Sequence, residues 1–414
     1  MTLVKTSLLN GIAVIVKMLT LLGINKILAI YVGPAGYAAI GQFQNAVQVI
    51  TTFASGAINT GVTKYTAQYH DDETQQIKVW QTAGTIALIS SILTALIIAI
   101  FNRQLARWFL KNESYGGVFL WFSATLVLFV FNAMLLAILN GKKEIGRFVV
   151  ANIAGSVFAL VVTFWLTSIW GLYGALVGLA VFQSLTFLVT VFLLRGANWF
   201  KFRYLFGRLD KDIAKNLGKY TLMALTSAAC VPLSQIYIRN YIGENIGWSS
   251  AGYWEGMTRL SSAYLLLITT SLSVYYLPRL SEIQFRSELV REVVKGYKVV
   301  LPATVIFSLC IYLLRDQIIL TLFTKDFFPM RSLFAWQLIG DTLKIGSWVI
   351  SYLMLGKAMF RLFISTEVIF SATFVLLSIA LLNKFGFQGV TIAYAINYLL
   401  YWICVAYLVN KKIL

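Results

Sequence analysis

Seven ionisable side chains, Lys17, Lys26, Glu255, Arg259, Asp341, Lys344 and Glu367, stand inside long apolar stretches of the chain. A charge in hydrocarbon costs about 3 kcal/mol or more, so each needs water or a partner. Most belong to polar stripes. Thr6, Asn10, Ala13, Lys17 and Thr20 recur at alternating four- and three-residue steps, which is one face of a helix. Gln44, Gln48, Thr52, Ser55 and Asn59 repeat this further on. So do Glu255, Arg259, Ser262, Thr269 and Ser273, and then Gln337, Asp341, Lys344 and Ser351. Faces of this kind are expected to line a water-filled cleft.

The chemistry on offer is recognition and ion movement. Lys17 and Arg259 can hold an anion such as phosphate in a low dielectric. The alternative for Lys17 is a salt bridge or snorkelling; for Arg259 it is neutralisation by Glu255 one turn earlier. Lys26 lies near a helix end and favours snorkelling to the headgroups. Asp341 and Lys344, three residues apart, either form an ion pair or make Asp341 the group that couples ion flow to transport. Glu367 and Glu255 are further coupling candidates, and a structural role is the alternative for Glu367. Tyr37, Trp254, Tyr264 and Trp348 are candidates for stacking on sugar rings. His70, in the run His70-Asp71-Asp72-Glu73, reads as solvated.

The elements that position these residues follow from composition. Of 414 residues, 59% are hydrophobic and 12% charged, against about 25% charged in soluble domains. Solubility, disorder and a disulfide-stapled fold are therefore excluded. Cys230, Cys310 and Cys404 lie in apolar runs and read as buried, inert thiols, and no cofactor or metal cluster is called for. Twelve stretches are long enough to cross a bilayer: 8–32, 38–63, 79–101, 116–140, 148–169, 172–194, 220–242, 251–277, 299–323, 332–355, 362–382 and 389–409. The first carries Lys17 and no small-residue cleavage site, so it does not read as a signal peptide. Pro232 and Pro302 are expected to kink the seventh and ninth.

The net charge of +18 marks loops rather than a nucleic-acid surface. With the N-terminus inside, 22 Lys and Arg fall on the inner side and eight, Arg239 among them, on the outer. The expectation is two cytoplasmic termini. The longest polar stretch divides the chain into a lobe at 1–195, a basic linker at 196–219 and a lobe at 220–414. Three landmarks recur in the same order at a nearly constant offset of just over half the chain: Ala35-Gly36-Tyr37 as Ala251-Gly252-Tyr253, Gly141-Lys142 as Gly356-Lys357, and Gly171-Leu172-Tyr173-Gly174 as Gly386-Phe387-Gln388-Gly389. The fold class read from this is all-α and polytopic, twelve transmembrane helices in two parallel six-helix repeats around a central cavity.

No Gly-rich loop ending in Lys-Ser/Thr is present, which excludes a P-loop pump. Short outer loops leave little room for a catalytic domain. A carrier fits better than a membrane-embedded glycosyl polymerase or ligase, and a scaffold would leave the stripes unexplained.

Gly61-Val62-Thr63-Lys64-Tyr65-Thr66-Ala67-Gln68-Tyr69-His70-Asp71 resembles the end of the second helix in Wzx-type flippases, notably those for the enterobacterial common antigen lipid. Phe334-Ala335-Trp336-Gln337-Leu338-Ile339-Gly340-Asp341 with Lys344, and Arg291-Glu292-Val293-Val294-Lys295 leading to Leu301-Pro302-Ala303, resemble the same family. The resemblance implies the multidrug/oligosaccharidyl-lipid/polysaccharide exporter fold in a bacterial inner membrane. The implied substrate is an undecaprenyl-pyrophosphate-linked oligosaccharide, moved to the periplasmic leaflet by alternating access coupled to H+ or Na+. Membrane lipids, a glycan polymerase and a chain-length regulator are the implied partners, with no nucleic acid. Lys64, Asp341 and Lys344 in the matched motifs are candidates for substrate or coupling roles. The competing reading is a multidrug or metabolite antiporter of the same superfamily, which would want a carboxylate-dominated cavity.

Overall fold

The computed structural model describes residues 3–272, 276, 279–280, 283, 285–357 and 359–413, with side chains throughout except at 3–10, 216, 219–220, 222–224, 271 and 412–413. Of the expected features, Ser273 lies outside the described residues. So do the side chains of Lys5, Thr6, Asn10, Lys219 and Lys412.

Hydrocarbon offers the backbone no hydrogen bonds, so a spanning chain satisfies its amides within helices. Thirteen α-helices run through the described residues: α1 Leu3–Ala54, α2 Asn59–Gln68, α3 Glu73–Ile100, α4 Asn102–Leu110, α5 Gly116–Gly141, α6 Ile145–Arg195, α7 Lys211–Asn245, α8 Trp248–Ser271, α9 Arg286–Leu313, α10 Arg315–Leu322, α11 Phe334–Gly356, α12 Phe360–Phe385 and α13 Gly389–Ile413. Seven helical stretches are long and apolar enough to cross a membrane. Three of these pass through a glycine break and hold two legs each. With α7 and α8 added, the helical legs account for the twelve expected spans.

The breaks reveal the duplication in backbone form. α1 turns at Gly33 (φ 68°) and α6 at Gly171 (φ 55°). Gly247 (φ 130°), between α7 and α8, and Gly386 (φ 61°), between α12 and α13, follow them at almost the same offset as the sequence landmarks. These conformations are open to glycine and strained for other residues. Just beyond the second turn in each half, a Cβ on Gly174 would collide with the Leu166 carbonyl, and one on Gly389 with the Leu381 carbonyl. These two glycines, and the two leucines they meet, are again counterparts in the repeat.

The chain forms two compact units: Met1–Tyr31 with Gln42–Pro232, and Val32–Gly41 with Leu233–Leu414. In the first, α5 lies against α2, α3 and α6. Phe43 meets Phe119 and Phe122 edge-on at 5.5 and 6.3 Å. Asp72 caps α3 by accepting from the Gln75 N–H (3.0 Å). The helix expected to run to residue 63 stops at Ala54, because the chain turns through Gly56 and Ala57 with positive φ before α2. Apart from a short 3-10 helix at Phe202–Leu205, the linker is loop to Asp210, whose carboxylate accepts from the Asp212 and Ile213 N–H groups and starts α7.

In the second unit, α11 lies between α9 and α13 over a core that includes Leu265, Leu272, Ile345, Val349, Met354, Tyr401 and Val405. Pro232 and Pro302 sit inside α7 and α9, which continue through them. Of the three free cysteines, Cys310 is exposed and the others half-buried. The expectation of buried thiols fails because an apolar helix face in a bilayer can point at lipid. Val299, Ile306, Leu309 and Leu313 share that face of α9.

The crowding at the second turn sets a stability test. Gly389→Ala is expected to cost about 1–3 kcal/mol by overpacking. Gly196→Ala, whose added Cβ meets nothing within 4 Å, is expected to stay within about 0.5 kcal/mol. Thermal unfolding of the purified protein in detergent checks the difference; equal midpoints would contradict the packing described.

Candidate functional site

Two polar clusters form within the second unit, and α8 contributes to both. The first is built on helical four-residue spacing. Tyr37 and Gly41 lie one turn apart on α1, and Glu255 and Arg259 one turn apart on α8. A Cβ on Gly41 would run into the Glu255 carboxylate, so the glycine makes room for the charge. The Glu255 carboxylate is held from both sides. Arg239 Nη2 on α7 donates to Oε2 at 2.5 Å, and Arg259 Nε donates to Oε1 at 2.7 Å. Arg239 is 1% exposed and Glu255 5%. Two guanidiniums thus share one carboxylate. The Arg239 guanidinium also lies over the Trp254 ring (5.4 Å) and the Arg259 guanidinium over the Tyr37 ring (5.2 Å). These cation–π contacts desolvate both cations against aromatic faces.

Arg239 is a correction to the sequence reading, which counted it among outer-side cations. Its position inside the expected span 220–242 was the available signal. Tyr37 and Trp254, expected to stack on sugars, are buried, with guanidiniums over their rings in this conformation. Tyr37 also abuts Phe327 (5.3 Å).

The second cluster centres on Asp341, which is fully buried. Ser261 Oγ (2.6 Å) and Tyr264 OH (2.7 Å) on α8 donate to its Oδ2. Tyr394 OH on α13 (2.9 Å) and Gln337 Nε2 (3.3 Å) donate to Oδ1. A Cβ on Gly340 would strike the Tyr394 ring, so the neighbouring glycine admits that donor. Lys344 forms no ion pair with Asp341 within 4.0 Å. Its ammonium lies over Trp348 (5.0 Å) and Tyr398 (5.7 Å) and interacts at longer range with Asp341 and Glu367. Glu367 on α12 thus joins this cluster. The sequence reading missed Ser261 and Tyr394 as Asp341 partners; they lie 80 and 53 residues away and carry no local pattern.

The stripe on α11 therefore does not line a cleft as expected. Gln337, Asp341 and Ser351 are buried inside the unit, and Ser351 hydrogen-bonds Tyr401 (3.0 Å). Seen from hydrocarbon, hydroxyl groups of neighbouring helices serve where water would.

Lys17, Lys26 and Lys64 belong to the other unit. Lys17 is exposed; its carbonyl accepts from Thr20 Oγ1 (2.9 Å), and no ion pair of its ammonium occurs among the described residues. Lys26 is half-buried; Lys64, on α2, is exposed and lies over the Tyr65 ring (5.3 Å). The rest of that motif packs: buried Thr66 accepts from Trp80 Nε1 (2.9 Å), and Thr63 donates to the Ala137 carbonyl (3.2 Å).

A family profile described as polysaccharide biosynthesis protein matches residues 27–332. The chain belongs to that family. It is also 34% identical, over 97% of both chains, to proteins named Lipid III flippase from Escherichia coli K12 and Shigella flexneri. The Wzx-type resemblance read from the motifs is borne out. Among solved structures, an inward-facing multidrug-resistance MATE-family transporter of the MOP superfamily matches with a TM-score of 0.78 at 16% identity, covering 96% of this chain and 94% of its own. A MOP superfamily transporter from Pyrococcus furiosus, described by the reverse polarity of its binding pocket, matches at 0.65 with 15% identity, over 97% and 95%. These likenesses establish the fold, in two repeated halves. The protein is a multi-pass membrane transporter rather than an enzyme.

Removing one partner of a buried ion pair leaves an uncompensated charge at a cost of about 3–5 kcal/mol. Glu255→Gln, which takes the carboxylate from both guanidiniums, is expected to lose stability on that scale in detergent, and Arg239→Ala, which leaves the Glu255–Arg259 pair in place, to lose less. Wild-type thermal stability of Glu255→Gln would contradict the triad.

Proposed function

We propose that the protein moves undecaprenyl-pyrophosphate-linked oligosaccharide repeat units from the cytoplasmic to the periplasmic leaflet of a bacterial inner membrane, with both termini cytoplasmic. The observation that carries this reading is the 34% identity over 97% of both chains to Lipid III flippases. A substrate of this class pairs a dianionic headgroup and sugars with a lipid tail that stays in the bilayer, and alternating access passes only the headgroup and glycan.

The electrostatics of the second unit support the reading. Two guanidiniums gathered on one carboxylate make an electropositive cluster, and such a cluster attracts a pyrophosphate in low dielectric. Lys17, Arg259, Lys64, Lys344 and Lys26 are the cations we assign to the headgroup. Tyr37 and Trp254 act through the guanidiniums they cover. For coupling to H+ or Na+, we assign Asp341 first, since three of its four donors are hydroxyls, which can turn from donor to acceptor as a cation arrives; Glu367, at longer range from Lys344, is the second candidate. Glu255, gripped by two arginines, serves to position them.

A knockout should accumulate one lipid-linked glycan in the cytoplasmic leaflet, identified by mass spectrometry. Lys17→Ala and Arg259→Ala should each abolish surface glycan assembly at unchanged membrane abundance; full activity in both would refute the cationic assignment. Asp341→Asn should leave transport in proteoliposomes insensitive to an imposed ion gradient, and unaltered gradient dependence would overturn its coupling role.

A further inference from the structure

The segment joining α6 to α7 is tied to the first unit at every few residues. Trp199 Nε1 donates to Glu144 (3.0 Å) beneath the Lys142 ammonium, which lies 5.2 Å from the Trp199 ring centroid. Leu205 is fully buried, and its carbonyl sits so close to Gly84 that a Cβ there would collide. The Phe206 ring lies on Phe131 (5.6 Å). Thr85 Oγ1 donates to the Gly207 carbonyl (3.0 Å), and the Asp210 N–H donates to Thr82 Oγ1 (3.2 Å).

These attachments fix the depth of the segment. Along α3 no charged residue occurs between Lys78 and Arg103, so the helix from Ala83 to its end at Ile100 carries none. At about 1.5 Å per residue that stretch covers the hydrocarbon layer almost completely. Thr82, Gly84 and Thr85, where the segment docks, therefore mark the boundary between acyl chains and headgroups.

The outward side of the segment suits that boundary. Phe202, Phe206 and Leu209 are 47%, 38% and 45% exposed. Lys201, Arg203 and Arg208 alternate with them and are exposed too, and no acidic residue occurs from 201 to 209. A free tether would have no reason to hold three large apolar side chains out beside three cations. Apolar anchors interleaved with basic side chains are the pattern that lies in an anionic membrane surface.

We infer that residues 199–211 form an interfacial strap that binds anionic phospholipid headgroups of the leaflet on that side, with Phe202, Phe206 and Leu209 seated among the upper acyl chains and Lys201, Arg203 and Arg208 on the phosphates. Ordered lipid there holds α3 and the start of α7 in register across the strap. The inference needs only a membrane-spanning fold and stands or falls separately from the substrate assigned above.

The test uses the full-length protein in nanodiscs of phosphatidylcholine and phosphatidylglycerol, with retained lipids counted by native mass spectrometry after release. Wild type should retain phosphatidylglycerol enriched about threefold over the disc. The variant combining Lys201→Gln, Arg203→Gln and Arg208→Gln should lose that enrichment while keeping its thermal midpoint in pure phosphatidylcholine. An equal neutralisation on the other side, Arg103→Gln with Arg107→Gln and Lys111→Gln, should keep it. Farnesyl diphosphate should leave the retained count unchanged. The inference is overturned if wild type shows no enrichment, if the strap variant retains it, if the control triple loses as much, or if farnesyl diphosphate displaces the phospholipid, which would make the strap a site for the substrate's diphosphate.

Discussion

A carboxylate within a membrane-spanning helix has to be compensated where it stands, and Glu255 shows the terms. Two guanidiniums grip its two oxygens, two aromatic rings cover the guanidiniums, and a glycine clears the space for the carboxylate. Desolvating three charges is costly, and the geometry returns that cost only if all three stay together. The arrangement explains why Val32–Gly41, early in the chain, joins the unit formed by the C-terminal half. Tyr37 and Gly41 are parts of the compensation.

α8 then joins this cluster to the one around Asp341. Glu255 and Arg259 belong to the first; Ser261 and Tyr264, within the next turn and a half, belong to the second. In the function proposed above, this shared helix joins the carboxylate assigned to ion exchange to the cations assigned to the headgroup.

Much of the fold was legible in the sequence because the bilayer imposes a length and a composition on each span. The glycine landmarks, repeated at a nearly constant offset, were legible as well, and the structure supplies their reason in positive-φ turns and close backbone contacts. The site was less readable. Periodicity identified the polar face of α11 but could not say whether water or hydroxyl groups would satisfy it, since both leave the same pattern. Tyr394 and Arg239 reach their carboxylates from other helices, a pairing set by tertiary packing. The charge count treated Arg239 as a loop residue because the expected helix end was drawn close to it. Aromatic residues on polar faces suggested sugar stacking, whereas Tyr37 and Trp254 stack on guanidiniums.

The account rests on the movement of an anionic lipid-linked glycan across the bilayer by this chain alone. The most direct measurement reconstitutes the purified protein in vesicles containing a fluorescent polyprenyl-pyrophosphate oligosaccharide and follows how much becomes accessible to a membrane-impermeant quencher. The account predicts quenching well beyond the outer-leaflet fraction, lost when Arg259 is replaced. Quenching no greater than in protein-free vesicles, under an ion gradient of either direction, would contradict it.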